Sequence, residues 1–226
     1  MIHYHGTPIT PINSLLELHG KHFCVSHAAP ADVARCHQIG QSVMLDNGAF
    51  SAWKTGKAVD WTGYYEWTDK WLDCPTTWAV IPDVITGSDE DQDALIAQWP
   101  HGHRGVPVWH MHEPIDRLVR LTLEWPKVCI GSSAQYAVVL SPAWIRRMDA
   151  AWNAVERHHK RTPPMHMLRG MALSGREWPF ASVDSTDIAR NHHLAHNSPR
   201  KMADRWDGVQ CPHKWVQRAE QMEMLQ

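Results

Sequence analysis

The feature that most restricts how this chain can fold is a series of short apolar runs with almost no polar interruption: Phe23–Ser26, Val43–Leu45, Thr77–Ile81, Val106–Trp109, Val128–Ile130, His166–Leu168 and Phe180–Val183. A strand with one wet face alternates polar and apolar residues. A strand covered on both faces does not, and parallel sheets are built from such strands. Helical stretches lie between the runs. Pro30–Ile39 opens on a proline suited to a first turn. Trp61–Leu72 carries its large apolar residues on one face. Gln92–Trp99 is preceded by Ser88, a good cap, and by acids that suit the positive end of a helix dipole. Pro114–Glu124 follows, then a long helix from Ser141 to about Lys160, and finally His213–Leu225.

Alternation of buried strand and helix indicates an α/β fold with right-handed crossovers. An eighth strand is expected either at Ile9–Ile12 or around Val209–Gln210. Eight would make a (β/α)₈ TIM-like barrel. That fold typically takes about 250 residues, so a chain of 226 residues implies a compact or incomplete one. A doubly wound parallel sheet is the alternative. No repeat or low-complexity linker divides the sequence, so residues 1–226 are read as a single domain. The phosphate-cradling patterns GxGxxG and GxxxxGK[ST] are absent.

In a barrel the carboxyl ends of the strands converge on one mouth. Here those ends supply Asp46, Asn47 and Gly48; Asp83; His110 and His112; Gly131, Ser132 and Ser133; Met167; and Asp184. Phe50 and Met167 offer apolar faces to a flat ring. A carboxylate such as Asp83 can accept hydrogen bonds from a ring N–H and an exocyclic amine together. Two further carboxylates, Asp46 and Asp184, could work at a glycosidic carbon, one attacking and one shuttling a proton. That route needs neither metal nor cofactor. Taken singly, each residue also fits a bland role: a capped turn for Asp83, half-buried histidines for His110 and His112, core for Met167.

Composition narrows the setting. No apolar run is long enough to span a membrane, and the first residues lack a basic stretch followed by an apolar one, so a cytoplasmic protein is expected. The five cysteines are widely spaced without a CxxC, which argues against a disulfide framework and a cysteine-rich zinc site. Formal net charge is −2, but unevenly spread. Residues 46–93 hold ten acids and three lysines, whereas 146–205 hold eleven Lys/Arg against six acids. Phosphate contacts would be sought in that basic third, at Arg146, Arg147, Arg190, Arg200 and Lys201.

The ordered motifs resemble those of the tRNA-guanine transglycosylase superfamily, especially its short phage and prophage-type members linked to 7-deazaguanine modification of DNA. Leu45–Ser51 is similar to the family's D-S-G-G-F-Q segment, with Asn47, Ala49 and Ser51 as departures. Ile81–Asp83 looks like its base-reading strand end, Val128–Ser133 like its I-G-G-L-A segment, and Met165–Gly170 like its L-M-G-V-G run. Phe180–Thr186 stands where the family has F-D-C-V-L-P-T. In straight register the family's nucleophile falls on Ala181, and Asp184 lies three residues later, an odd offset that faces the other way along a regular strand. Either the strand end bends or Asp184 is not the nucleophile. The cysteine-rich zinc site of the tRNA-type enzymes has no counterpart here.

The resemblance implies a pentosyltransferase that exchanges guanine for a free 7-deazaguanine base in DNA or tRNA, with Asp46 as acid/base and Phe50 stacking on the base. A target within a duplex would first have to be unstacked. The same pocket could instead serve a hydrolytic nucleosidase or DNA glycosylase, or a non-catalytic module that binds a modified base or nucleic acid. The histidine count alone would suggest a metal-dependent hydrolase.

Overall fold

The structure is a computed structural model that describes residues 1–218. Its strands are β1 (Ile2–Gly6), β2 (His22–Ser26), β3 (Ser42–Asp46), β4 (Thr77–Val80), β5 (Gly105–Val106), β6 (Val108–His110), β7 (Val128–Gly131), β8 (Met165–Met167) and β9 (Ser182–Ser185). All pair in parallel, in the order β5-β4-β3-β2-β1-β9-β8-β7-β6. The two edges of this sheet, β5 and β6, are consecutive pieces of one chain segment separated only by Pro107. The first piece pairs with β4 and the second with β7. Pro107 has no N–H to give a ladder, yet its carbonyl accepts from the Cys129 N–H at 2.9 Å, while the Val106 carbonyl takes the Ile81 N–H at 3.0 Å. Residues 105–110 therefore join the two edges and round the sheet into an eight-position TIM-like barrel.

The helices follow the strands: α1 (Ile12–Leu16), α2 (Val33–Ile39), α3 (Ala49–Thr55), α4 (Trp61–Asp69), α5 (Asp89–Gln98), α6 (Ile115–Glu124), α7 (Pro142–His158), α8 (Asp187–Asn191) and α9 (Pro199–Asp207). Ser88 caps α5 through a full capping box: its hydroxyl accepts from the Asp91 N–H, and the Asp91 carboxylate from the Ser88 N–H at 2.9 Å. Ser141 caps α7, with Pro142 in the first turn.

Burial sorts along each strand with period two. Phe23, Val25, Val43, Leu45, Ala79 and Ile81 pack outward under the helices of the first half, and Trp109, Val128, Ile130, Met165, Met167 and Val183 under those of the second. The alternate residues Tyr4, Cys24, Met44, Trp78, Val80, Val106, Val108 and Cys129 fill the barrel. Tyr4 organises this interior. Its hydroxyl accepts from Trp78 Nε1 at 2.9 Å and from the Ser42 hydroxyl at 3.1 Å. The Lys127 ammonium lies 4.2 Å from the centre of a Trp78 ring, a cation–π contact.

Two expectations change. The eighth strand is Ile2–Gly6, neither Ile9–Ile12 nor Val209–Gln210. Its polar look comes from His3 and His5, which point away from the barrel interior but are buried beneath the outer layer. The proposed helix His213–Leu225 is non-helical over 213–218, and its remainder lies outside the described residues. Between β8 and β9 the connection holds only a 3₁₀ turn at Met171–Leu173, which helps a barrel fit in a short chain. Tyr4→Phe keeps the ring but leaves the buried Trp78 N–H without its acceptor. It is expected to cost about 1–2 kcal/mol of stability, read as a lowered midpoint in urea unfolding with an unchanged slope.

Candidate active site

The carboxyl ends of the strands enclose a cavity of about 560 Å³. Asp46, Asp83 and Asp184 all line it, as do Asn47, Phe50, His110, Gly131 and Ser132. Residues remote in sequence thus meet because the strand ends that carry them are neighbours in the ring.

Asp46 ends β3 and packs between β2 and the start of α3. Gly48 follows in the left-handed region (φ 78°), which lets the chain turn sharply into α3. Burial pushes the Asp46 carboxyl up to about 6, and the nearby charges of Asp184 and Asp83 push the same way; the Ser26 hydroxyl and the Gly48 N–H oppose them. A carboxyl near 6 can give or take a proton close to neutral pH.

Asp83 is held on both oxygens. Asn47 Nδ2 donates to Oδ1 at 2.7 Å, and His110 Nε2 lies 2.9 Å from Oδ2. Asn47 also donates to the Ile81 carbonyl and accepts from the Ala49 N–H, both at 2.9 Å. Its amide is therefore spent tying the end of β3 to the end of β4. Although Asn47 lines the cavity, its visible work is to position Asp83. His110 with its Nε2 against a carboxylate carries the proton there. A Cβ at Gly131 would come within 3.0 Å of His110 Nδ1, so the glycine gives the imidazole its room.

Asp184 faces the cavity, and Val183 before it faces the outer core. The offset of three from Ala181 is therefore what brings Asp184 inward. Asp184 Oδ1 accepts from the Arg169 backbone N–H at 2.7 Å and lies 3.2 Å from His166 Nε2. The other oxygen has no protein donor among the described residues. Complete burial lowers the His166 pKa despite Asp184 beside it. The neutral ring then donates from Nε2, and its Nδ1 accepts from Ser182 at 2.8 Å.

Several sequence candidates fall elsewhere. Met167 does not line the mouth. It is fully buried in the outer core, because the residue that follows it just past β8, Leu168, takes the inward position. His112 and Ser133 lie outside the cavity lining and bond each other, Nδ1 to Oγ, at 2.7 Å. The basic residues do not form one patch. Arg147 turns inward, its guanidinium donating to the carbonyls of Met111 and Glu113. Arg200 pairs with Asp204 and lines a second cavity with Ile2, His3 and His22, at the amino ends of the strands. Arg146 and Lys201 are exposed and do not line the mouth; Arg190 does.

Sequence reasoning missed Lys54 and Arg169, both at the mouth. Arg169 follows β8 at φ 56°, an uncommon conformation for a residue with a side chain. Its guanidinium carbon lies 3.6 Å from the centre of the Phe50 ring. The face of Phe50 expected to stack on a base is thus covered by a planar cation. The signal was the position itself, one residue past an inward-facing strand end.

The Asp46 shift has a signed consequence for stability. The folded state holds the neutral acid more tightly than the unfolded chain does, so this contribution is complete below the unfolded value near 3.8 and is lost as pH rises through about 6. Asp46→Asn is expected to stabilise the protein above that pH by an amount of the order of 2 kcal/mol, with the gain vanishing towards pH 4. Urea unfolding of both proteins across that range measures it. Compared with protein-family models, with curated proteins and with solved structures, the chain matches none.

Proposed function

We propose that the protein is a base-exchanging pentosyltransferase that replaces guanine in DNA or tRNA by a free 7-deazaguanine base. The observation that carries the reading is the division of labour among three carboxylates around one cavity. Asp184 keeps one oxygen pinned by two donors and the other unengaged. Asp46 is tuned near 6 by burial and by its acidic neighbours. Asp83 is oriented from both sides by Asn47 and His110.

In this reading the Asp184 carboxylate attacks C1′ of the nucleotide as the bond from C1′ to the guanine nitrogen breaks. Protonated Asp46 supplies the proton that the departing base takes up. The incoming base then gives its ring N–H proton to the Asp46 carboxylate, its nitrogen attacks C1′, and the bond to Asp184 breaks. Two displacements retain the configuration, and no metal enters either step. Asp83 with His110 forms the polar wall against which a base edge is read. Phe50 provides the stacking face once the guanidinium of Arg169 leaves it.

The test is incorporation of labelled guanine into DNA and into unmodified tRNA. Wild type is expected to exchange on one of the polymers. Asp184→Asn should lose at least about 10³-fold in rate, since it removes a covalent nucleophile. Asp46→Asn should lose about 10²–10⁴-fold, the usual worth of a general acid/base, and should also lose the rate limb near pH 6. Full exchange by Asp184→Asn would discard the assignment. Abasic sites formed without added base would replace exchange by hydrolysis.

A further inference from the structure

The helix that follows Asp46 carries a feature that the chemistry inside the cavity does not use. All thirteen tryptophans are among the described residues, and twelve are buried or half-buried. Trp53 alone is exposed, with 54% of its surface open. It stands one turn after Phe50 on α3, with ring centres 5.8 Å apart at 34°. Tryptophan is highly buried on average, and here it leaves an aromatic face open next to a residue that lines the cavity.

The charges around it are arranged in two layers. The cavity holds the three carboxylates, while cations reach its lining from three separate segments: Lys54 on α3, Arg169 after β8 and Arg190 on α8. Among the described residues none of the three makes an ion pair, whereas Arg147 and Arg200 are engaged in internal contacts. Phosphates are repelled by a carboxylate-lined interior and attracted by an exposed positive rim. A sugar and base can enter where the phosphates on either side cannot.

We infer that the mouth engages a nucleic-acid strand rather than a free nucleoside. Lys54, Arg169 and Arg190 hold phosphates flanking the nucleotide that enters, and Trp53 stacks on an adjacent base that stays outside. Single-strand binding surfaces combine these two elements, cations along the backbone and an aromatic platform. The inference takes from the base-exchange reading only the view that a nucleotide enters the cavity; the surface can be tested without turnover.

Binding of labelled single-stranded DNA and RNA oligonucleotides is measured by fluorescence anisotropy over a salt series. Lys54→Gln and Arg190→Gln are each expected to flatten the slope of log affinity against log salt by about 0.7, the loss of one phosphate contact on a single strand. Arg200→Gln, at the opposite end of the barrel, should leave it unchanged. Trp53→Ala should weaken binding roughly five- to 150-fold, and should not weaken binding of an abasic strand of equal length. Unchanged slopes in the two mouth variants, or equal loss on the abasic strand, overturn the surface. Turnover of free nucleosides without strand binding also overturns it and leaves glycosidic chemistry standing. Strand binding with the expected slopes but no exchange keeps the surface and removes the reaction.

Discussion

The structure depends on the way one short segment serves two neighbours. Parallel strands need both faces covered and both edges satisfied. Gly105–Val106 meets the first edge and Val108–His110 the second, with Pro107 at the change of partner. A proline inside a central strand would ordinarily break a ladder. Here its missing N–H falls where the strand hands over from β4 to β7, and its carbonyl still takes the Cys129 N–H. Closure also sets the site: His110 ends this segment, and only a ring of strands brings it beside Asp83 on one side and Gly131 on the other.

Three carboxylates in one cavity would be unstable if left alone, since buried charge is costly and like charges add to the cost. The protein meets the problem differently at each. Asp83 receives two donors from side chains that are themselves fixed, Asn47 by backbone groups and His110 by its place in the ring. Asp184 receives a backbone N–H and an imidazole. Asp46 receives the Ser26 hydroxyl and the Gly48 N–H, but burial, with its acidic neighbours, outweighs them and raises its pKa. The backbone conformation at Arg169 belongs to the same solution, because it aims the N–H at Asp184.

Most of the frame was legible in the sequence because buried parallel strands leave continuous apolar runs. Seven runs fell on strands, and Ser88 and Ser141 fell on caps. The strand Ile2–Gly6 was hidden because two of its buried residues are histidines, which a hydropathy reading takes for surface. The lining of the cavity was legible in part, since Lys54 and Arg169 were missed and His112, Ser133 and Met167 lie outside it, and one residue is what decides a face. Met167 and Leu168 exchange roles on that account, and Asp184 proves inward although simple register with Ala181 suggested otherwise. The basic third of the chain misled because charge counted along a sequence says nothing of which end of a barrel it reaches. Arg190 and Arg200 are ten residues apart in sequence and line cavities at opposite ends.

The order of charge from depth to rim carries its own logic. Coulombic interaction strengthens as water is excluded, so carboxylates deep in the mouth act on one another and on whatever enters, while cations at the edge act mainly on what approaches. Arg169 links the two regions. Its backbone N–H is hydrogen-bonded to Asp184, and its guanidinium carbon lies 3.6 Å from the centre of the Phe50 ring at the opening. Guanidinium and purine are both planar and stack on the same kind of face. An arginine resting on that ring covers its apolar surface. The same side chain bears a positive charge and has no ion-pair partner among the described residues. On the proposed base-exchange reading, an arriving heterocycle replaces this contact with Phe50 in kind and frees the cation for the phosphate contacts proposed at the rim.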